Sequence, residues 1–362
     1  MRVIGLLAGS GNLLREAEDQ GYRVVGNIDP RSYYRQASWV WSANFPKAPI
    51  IHTKETDLAL NDFDSEWRDA DLALGHPPCG SFSALGMGSA PIDRMTEDER
   101  RAWDHNRSRN PGLLPLFCDM VREFRPKIFA MDNLPKMLNA FPRSWWKEQL
   151  PGYRITIITM WNWTYGSPQR RQRAWVIGCL RKRRFELVEP KKRLPGPTSL
   201  WEAIRDLPWE PWEDIPEIDH FHHSPSNEAM GSFPLQARVP MTKYADFVSN
   251  TALGYLQIPP GKAWPYRSAA GRSTNKFAHC RLTMDRPART LSKSETLRHP
   301  ITGWPLTPRE RARLMGWPDD FHLMRGTEVN QSSLRALSMI TGKAVPNEFV
   351  RYLIPQLREH AK

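Results

Sequence analysis

The sequence lacks long apolar runs, and none approaches the ~20 residues that a membrane-spanning helix needs. Residues 1–7 are apolar, but the segment is too short, and too interrupted by Gly5, for a secretion signal. It is more typical of a buried strand. We therefore expect a cytoplasmic protein without a membrane segment.

Cysteine is also scarce, and its spacing excludes two kinds of site. The four cysteines are Cys79, Cys118, Cys179 and Cys280. They form no CxxC pair, and the histidines within residues 220–223 have no cysteine pair near them. This spacing argues against a disulfide framework and against a zinc site, so we expect no bound metal. One cysteine is left free for chemistry.

Acidic residues are too few to balance the basic ones. The 51 lysines and arginines against 39 aspartates and glutamates give a net charge of +12. Such an excess favours a polyanionic partner such as DNA. The sequence is rich in tryptophan (15) and proline (32), which predicts long irregular segments.

The first half of the chain alternates short apolar runs with amphipathic stretches, as in a doubly wound, Rossmann-like α/β sheet. Helices are predicted at 12–20, 113–124, 307–314, 332–340 and 347–357. Strands are predicted at 3–7, 23–27, 70–74, 128–132, 153–159 and 174–179. After Leu180 the periodicity fades, which predicts a smaller, irregular inserted domain. The predicted division is a catalytic domain at 1–182 and 283–362, with the insert at 183–282.

A glycine-rich turn follows the first predicted strand. Residues 7–12 read LAGSGN, and glycines at such a turn let the backbone approach a ligand closely. Asp29 closes the second predicted strand, where an acid can accept hydrogen bonds from a ribose diol. A dinucleotide remains possible at this stage, but the full GxGxxG is missing, so we favour an adenosyl ligand.

Three further segments contain side chains that are candidates for catalysis. Cys79 lies in GHPPCGSFS (residues 75–83), directly after a predicted strand and stiffened by two prolines. Asp132 ends another predicted strand and precedes Asn133. Residues 166–173, GSPQRRQR, cluster three arginines before an apolar run, so at least one is expected to face the active-site cleft.

These segments, in this order, resemble the cytosine-C5 DNA methyltransferase family. The proline-cysteine loop, the Asp132-Asn133 pair and the Gln169-x-Arg171-x-Arg173 run are similar to three central motifs of that family. Residues 286–291 (RPARTL) and 306–319 are similar to its penultimate region, and residues 342–346 (GKAVP) to its last. The resemblance therefore covers both ends of the chain.

The resemblance implies a Rossmann-like methyltransferase fold and a mechanism. Cys79, as a thiolate, would add to C6 of a cytosine flipped out of the duplex, and Asp132 would bind the N3 edge. Arg171 and Arg173 would orient the base and its phosphates. The implied substrate contacts are Ser83, Asn133 and Gln169. The implied S-adenosylmethionine contacts are Leu7, Gly9, Gly11, Asn12, Asp29, Asp57, Pro77, Lys343 and Val345. Residues 183–282 would form the target-recognition domain.

The chain departs from the family pattern at three positions. Leu7 stands where the family usually has Phe, Asp132 where it has Glu, and Lys343 where it has Asn. An ammonium ~4 Å from a sulfonium would be repelled by about 4 kcal/mol at a dielectric constant of ~20. An ordinary lysine would turn towards solvent or a DNA phosphate. Alternatively, Lys343 would pair with the carboxylate of carboxy-S-adenosylmethionine, and the enzyme would make 5-carboxymethylcytosine.

Other functions stay open at this stage. A tRNA cytosine-C5 methyltransferase would share the same motifs, whereas a catalytically inactive DNA-binding relative would have lost the nucleophile or the acid. The presence of Cys79, Asp132, Gln169 and Arg171 favours an active enzyme over the inactive relative. We expect a monomeric enzyme that modifies double-stranded DNA in a bacterial cell or a phage-infected host, of the kind found in restriction-modification systems.

Overall fold

The computed structural model describes residues 1–30, 35–53, 65–78, 113–180, 184–207, 261, 280–292, 297–301, 306–323 and 331–361. Three predicted site residues, Asp57, Cys79 and Ser83, lie outside this set, as does most of the predicted insert. The chain forms two compact units. Unit 1 consists of Met1–Thr164, Gln172–Lys192 and Asn347–Lys362, and unit 2 of Tyr165–Arg171 and Arg193–Pro346.

Unit 1 is built on a seven-stranded sheet in the order β3-β2-β1-β4-β5-β8-β6. The strands are β1 (Arg2–Leu6), β2 (Arg23–Pro30), β3 (Ile50–Thr53), β4 (Leu72–Gly75), β5 (Ile128–Asn133), β6 (Arg154–Trp161) and β8 (Gln172–Cys179). The first five in chain order pair in parallel, whereas β8 runs antiparallel to both β5 and β6. The predicted Rossmann-like α/β class is confirmed.

The direction of β8 matters for the site. Because β8 is antiparallel to β5, its first residues lie at the edge where the parallel strands end, and Asn133 pairs with Ala174. Open α/β sheets bind their ligands at that carboxyl edge, near the point where the strand order reverses. In this sheet the reversal falls between β1 and β4.

Helices cover this sheet and bury its apolar side chains. They are α1 (Asn12–Asp19), α2 (Arg35–Asn44), α3 (Leu113–Phe124), α4 (Met137–Ala140), α5 (Arg143–Gln149) and α9 (Asn347–Ala361). Helix α3 places Phe117 edge-on against Phe129 of β5, with ring centroids 5.8 Å apart. Helix α9 packs Phe349 against Trp175 of β8, at 5.2 Å. The last helix of the chain is therefore part of the core of unit 1.

All six predicted strands of the sheet are present, with ends that differ from the prediction by at most three residues. The largest shift is in β2, which continues to Pro30, so Asp29 lies inside the strand and is not its last residue. Strand β3 was not predicted, because four residues next to a proline are too few to show a period-2 pattern.

Unit 2 contains short elements in its described part. They are β7 (Gln169–Arg170), β9 (Cys280–Arg281), β10 (Ala288–Arg289), β11 (Leu297–Arg298), α6 (Leu200–Ile204), α7 (Pro308–Leu314) and α8 (Gln331–Lys343). Helix α7 begins with a capping box in which the Thr307 and Glu310 side chains each accept a hydrogen bond from the other's backbone N–H. Within the described residues, no helix of either unit is long and apolar enough to cross a membrane.

Candidate active site

The turn after β1 has the conformation that a ligand-binding loop requires. Leu7, Gly9 and Gly11 all have positive φ angles, of 60°, 60° and 83°. A side chain at Gly11 would collide with the aromatic rings of α2 and the residue after it, because a Cβ there would lie 2.5 Å from Phe45. The non-glycine Leu7 adopts the same strained region, held by a 2.8 Å hydrogen bond from its N–H to the Ile28 carbonyl.

Asp29 connects this turn to β2. Its Oδ2 accepts a 3.0 Å hydrogen bond from the Gly9 N–H and another from the Asn27 amide. Burial raises the pKa of Asp29 to about 7, although these hydrogen bonds and the nearby His76 oppose the shift. Its Oδ1 is buried and accepts no hydrogen bond within the described part of the chain. A hydroxyl donor from a ligand would satisfy that oxygen.

Asn12, predicted as a cofactor contact, is bonded to the last helix of the chain. Its amide donates to Asn347 Oδ1 at 2.7 Å, and Asn347 donates in return to the Asn12 carbonyl and to Glu16. Arg351 pairs with the same glutamate at 2.7 Å. The Asn12 side chain therefore braces the glycine turn against α9.

The end of β4 leads into the proline-cysteine loop. The buried Pro77 carbonyl accepts a 3.2 Å hydrogen bond from the Asn133 amide, and Asn133 Oδ1 accepts one from the Leu134 N–H. Asn133, predicted to contact the substrate, thus joins the end of β5 to the segment that precedes Cys79. Pro77, predicted as a cofactor contact, lies at the carboxyl edge of the sheet.

Asp132 is fully buried near the end of β5 and has a histidine and an arginine as close neighbours in unit 1. His76 Nδ1 lies 2.9 Å from its Oδ2, and Arg173 Nε lies 3.5 Å from the same oxygen. Arg173 reaches this carboxylate because the antiparallel β8 begins at the same sheet edge. Asp132 Oδ1 has no hydrogen-bond partner in the described segments. The structure therefore brings together two of the predicted site residues, Asp132 and Arg173.

Three of the four cysteines are poorly suited to nucleophilic chemistry. Cys118, Cys179 and Cys280 are buried free thiols. Burial raises their pKa, to about 12 for Cys118 and about 11 for Cys179. Thiols with such values stay protonated at neutral pH, whereas the thiolate is the nucleophile. These environments leave Cys79 as the candidate.

Gln169 and Arg171 lie in unit 2, and both are engaged by its backbone. The Gln169 amide donates to the Leu314 carbonyl at 2.6 Å. Arg171 donates to the carbonyls of Leu291 and Gly342, at 2.9 Å and 3.1 Å. These contacts join three of the motif regions within one unit. Both side chains therefore have a clear structural role there, in addition to any contact with a substrate.

Lys343 and Val345, predicted as cofactor contacts, also lie in unit 2. Lys343 is the last residue of α8 and is half-buried. Val345 is 1% exposed. The Gly342 carbonyl beside Lys343 is the acceptor for Arg171, so the last motif is anchored to the arginine run.

Sequence reasoning missed two residues that the structure places in this network, His76 and Asn347. His76 could have been found, because it directly follows the strand that leads to Cys79 and carries an imidazole. No sequence signal pointed to Asn347, because its partner Asn12 lies at the other end of the chain and the pairing depends on the fold.

The chain is similar to a known family over nearly its whole length. The family model described as C-5 cytosine-specific DNA methylase matches residues 1–359. The type II methyltransferase M.DdeI of Desulfomicrobium norvegicum is 27% identical, over 96% of this chain and 86% of its own length. M.Sau96I of Staphylococcus aureus is 23% identical, over 97% and 74%.

Solved structures show the same fold. A protein assigned as a DNA modification methyltransferase, encoded within a prophage of E. coli, superposes with a TM-score of 0.64 at 20% identity, covering 99% of both chains. The Entamoeba histolytica methyltransferase EhMeth superposes with a TM-score of 0.60 at 16% identity, over 100% of this chain and 99% of its own. With the family model matching nearly the whole sequence, the chain belongs to the C-5 cytosine-specific DNA methylase family.

Proposed function

We propose that this protein transfers a methyl group from S-adenosylmethionine to C5 of cytosine in double-stranded DNA. One observation carries the proposal. At the carboxyl edge of the sheet in unit 1, Asp29 and Asp132 each have a buried carboxylate oxygen that accepts no hydrogen bond within the described residues. Buried oxygens of this kind are normally satisfied, so both favour a ligand that donates hydrogen bonds.

The residues around Asp29 suit the cofactor. Asp29 Oδ1 would accept from a ribose hydroxyl, and the positive-φ glycines would let the backbone approach the adenosyl group. When bound, S-adenosylmethionine supplies a methyl group on a positively charged sulfur. Gly9 and Asn27 keep the carboxylate oriented through their hydrogen bonds to Oδ2.

The residues around Asp132 suit a cytosine flipped out of the duplex. The Cys79 thiolate would form a bond to C6 while Asp132 binds the N3 edge, which places electron density on C5. C5 would then take the methyl carbon, and the bond from that carbon to sulfur would break. Loss of the C5 proton and elimination of Cys79 would restore the aromatic ring. Arg173 would hold the Asp132 carboxylate through the contact at Oδ2.

The experiment is to incubate the protein with duplex DNA and either S-adenosylmethionine or carboxy-S-adenosylmethionine. The digested nucleosides are then identified by mass spectrometry. The proposal expects 5-methylcytosine from S-adenosylmethionine. Preferential formation of 5-carboxymethylcytosine from carboxy-S-adenosylmethionine would instead support the role proposed for Lys343, and a Lys343→Asn variant would then lose that preference. Modification of tRNA but not of DNA would favour a tRNA enzyme. The absence of any modified nucleoside from both DNA and tRNA would favour an inactive DNA-binding protein.

Cofactor affinity should depend on pH through Asp29. A hydroxyl donates more strongly to the ionised carboxylate, and the pKa of Asp29 is raised to about 7. The bound form therefore grows as pH rises through 7, and S-adenosylmethionine should bind roughly tenfold more tightly at pH 8 than at pH 6. Isothermal titration calorimetry across this range measures the effect.

The matched control is Asp29→Asn, which keeps the size of the side chain but cannot ionise. It should bind the cofactor more weakly at pH 8 and show a smaller dependence on pH than the wild type. An equal pH dependence in the two proteins would exclude Asp29 as the ribose acceptor.

An exposed arginine pair in unit 2 is a candidate contact for DNA phosphate. Strands β7 and β10 pair in parallel with Arg170 opposite Arg289, and both side chains are exposed. Like charges placed opposite each other destabilise a sheet. No acidic side chain of the described segments pairs with either arginine. A phosphate between them would relieve this repulsion.

The double variant Arg170→Gln/Arg289→Gln should lower the slope of log Kd against log salt concentration by about two, because each lost phosphate contact removes about one released counterion. Fluorescence anisotropy with a duplex measures the slope. Arg154→Gln/Lys147→Gln removes the same charge from unit 1 and should leave the slope nearly unchanged. Arg154 begins β6 at the sheet edge opposite to the one where Asp132 lies. Equal effects of the two double variants would assign the slope to net charge alone.

A further inference from the structure

We propose that His76 is a positioning residue that holds Asp132 for its contact with the base, a role that rests on the proposed cytosine-C5 transfer. His76 follows β4 directly and is 7% exposed, and Asp132 near the end of the neighbouring β5 is fully buried. The imidazole Nδ1 lies 2.9 Å from Asp132 Oδ2. The two residues belong to the same unit, and each lies at the carboxyl end of its strand.

The backbone fixes where the imidazole can reach. The His76 N–H donates to the Leu7 carbonyl at 3.3 Å, which ties the start of the proline-cysteine loop to the end of β1. On the other side, the Asn133 amide holds the Pro77 carbonyl at 3.2 Å. His76 is therefore anchored between two strand ends, and its ring reaches the carboxylate from a segment that is hydrogen-bonded on both sides.

Both close neighbours of Asp132 contact the same oxygen. His76 Nδ1 and Arg173 Nε lie 2.9 Å and 3.5 Å from Oδ2. Neither carboxylate oxygen accepts a hydrogen bond of full geometry among the described residues. The two side chains thus hold Oδ2 by close contact, and Oδ1, which neither of them touches in this way, is left for the substrate.

Asp132 needs this support because its side chain is short. An aspartate extends one methylene less far than a glutamate, so its carboxylate has less reach towards a base and must be held in the productive orientation. A misplacement of a catalytic group by about 1 Å can lower a rate ~100-fold. His76 holds one side of the carboxylate and Arg173 the other.

The test uses three substitutions at one position. Asparagine places an amide nitrogen close to where the imidazole Nδ1 lies, glutamine places one near Nε2, and alanine removes the group. His76→Ala and His76→Gln should lower kcat by ~30-fold or more, with KM for DNA and Kd for S-adenosylmethionine changed less than threefold. His76→Asn should retain kcat to within about fivefold. His360→Ala, which removes an imidazole from the last turn of α9, should behave as wild type.

A double-variant cycle separates positioning from general stability. If His76 acts through Asp132, then His76→Ala should have little further effect in an Asp132→Ala background, because the group it positions is already absent. The proposal would be overturned if the double variant lost kcat by the product of the two single-variant factors. It would also be overturned if His76→Ala kept full kcat, or if the asparagine and glutamine variants lost kcat equally. If His76→Ala does not fold, the comparison between asparagine and glutamine decides.

The proposal can fail without the function failing. A wild-type protein that makes 5-methylcytosine while all three His76 variants match it would remove the positioning role alone. A wild-type protein that modifies no cytosine would remove the proposed function, and the positioning role with it.

Discussion

Replacing Cys79 with serine should lower methyl transfer to DNA by at least ~10³-fold, because a serine hydroxyl stays protonated at neutral pH and is a far weaker nucleophile towards C6. The readout is tritium transfer from labelled S-adenosylmethionine to duplex DNA. Binding of the cofactor should change little, since Cys79 acts on the base. DNA containing 5-fluorocytosine should trap the wild-type protein as a covalent adduct that survives denaturation, and the serine variant should form none.

The control for this prediction is Cys280→Ala. Cys280 is a buried thiol whose pKa is raised by burial, so it has no part in the chemistry and its loss should leave the trapped adduct intact. An adduct that persists in Cys79→Ser but disappears in Cys280→Ala would show that Cys280 is the nucleophile, and it would contradict the assignment of Cys79. Peptide mapping of the wild-type adduct identifies the modified residue directly.

Replacing Asp132 with asparagine should lower kcat by ~10²–10³-fold, because an amide is almost the same size but cannot carry the charge or the proton needed at N3. KM for DNA should change much less. Single-turnover kinetics separate the loss in the chemical step from binding. A variant that keeps kcat within threefold of wild type would contradict a role for Asp132 at the base.

Asp132→Glu is an informative companion to the asparagine variant. The longer acid matches the usual family residue, but Oδ2 of the aspartate is already met by His76 and Arg173 at 2.9 Å and 3.5 Å. One extra methylene must therefore be accommodated in a fully buried position. We expect an active but slower enzyme, and thermal denaturation of each variant checks that the fold is retained.

The sheet was predictable because its strands are short apolar runs that alternate with amphipathic helices, and this pattern is local. The predicted α3 coincides with the observed Leu113–Phe124. What the pattern could not show is the direction of a strand. The antiparallel placement of β8 decides that Arg173 meets Asp132.

The candidate site was predictable where a residue type has a chemical use at a strand end, as with Asp29 and Asp132. It was less predictable where a polar side chain serves the protein itself. Asn12 and Gln169 look like ligand contacts in the sequence, but their amides are bonded to Asn347 and to the Leu314 backbone. Such partners are distant in sequence, so local patterns cannot distinguish a contact with a ligand from a contact within the fold.

The link between Asn12 and α9 has a consequence for synthesis on the ribosome. The glycine turn is synthesised before the helix that braces it, because Asn347–Ala361 follows all of Arg193–Pro346 in the chain. Until that helix is released and docks, Glu16 lacks its partners Asn347 and Arg351. The nascent protein therefore emerges with the support of its glycine turn incomplete, and we expect it to gain affinity for S-adenosylmethionine late in translation.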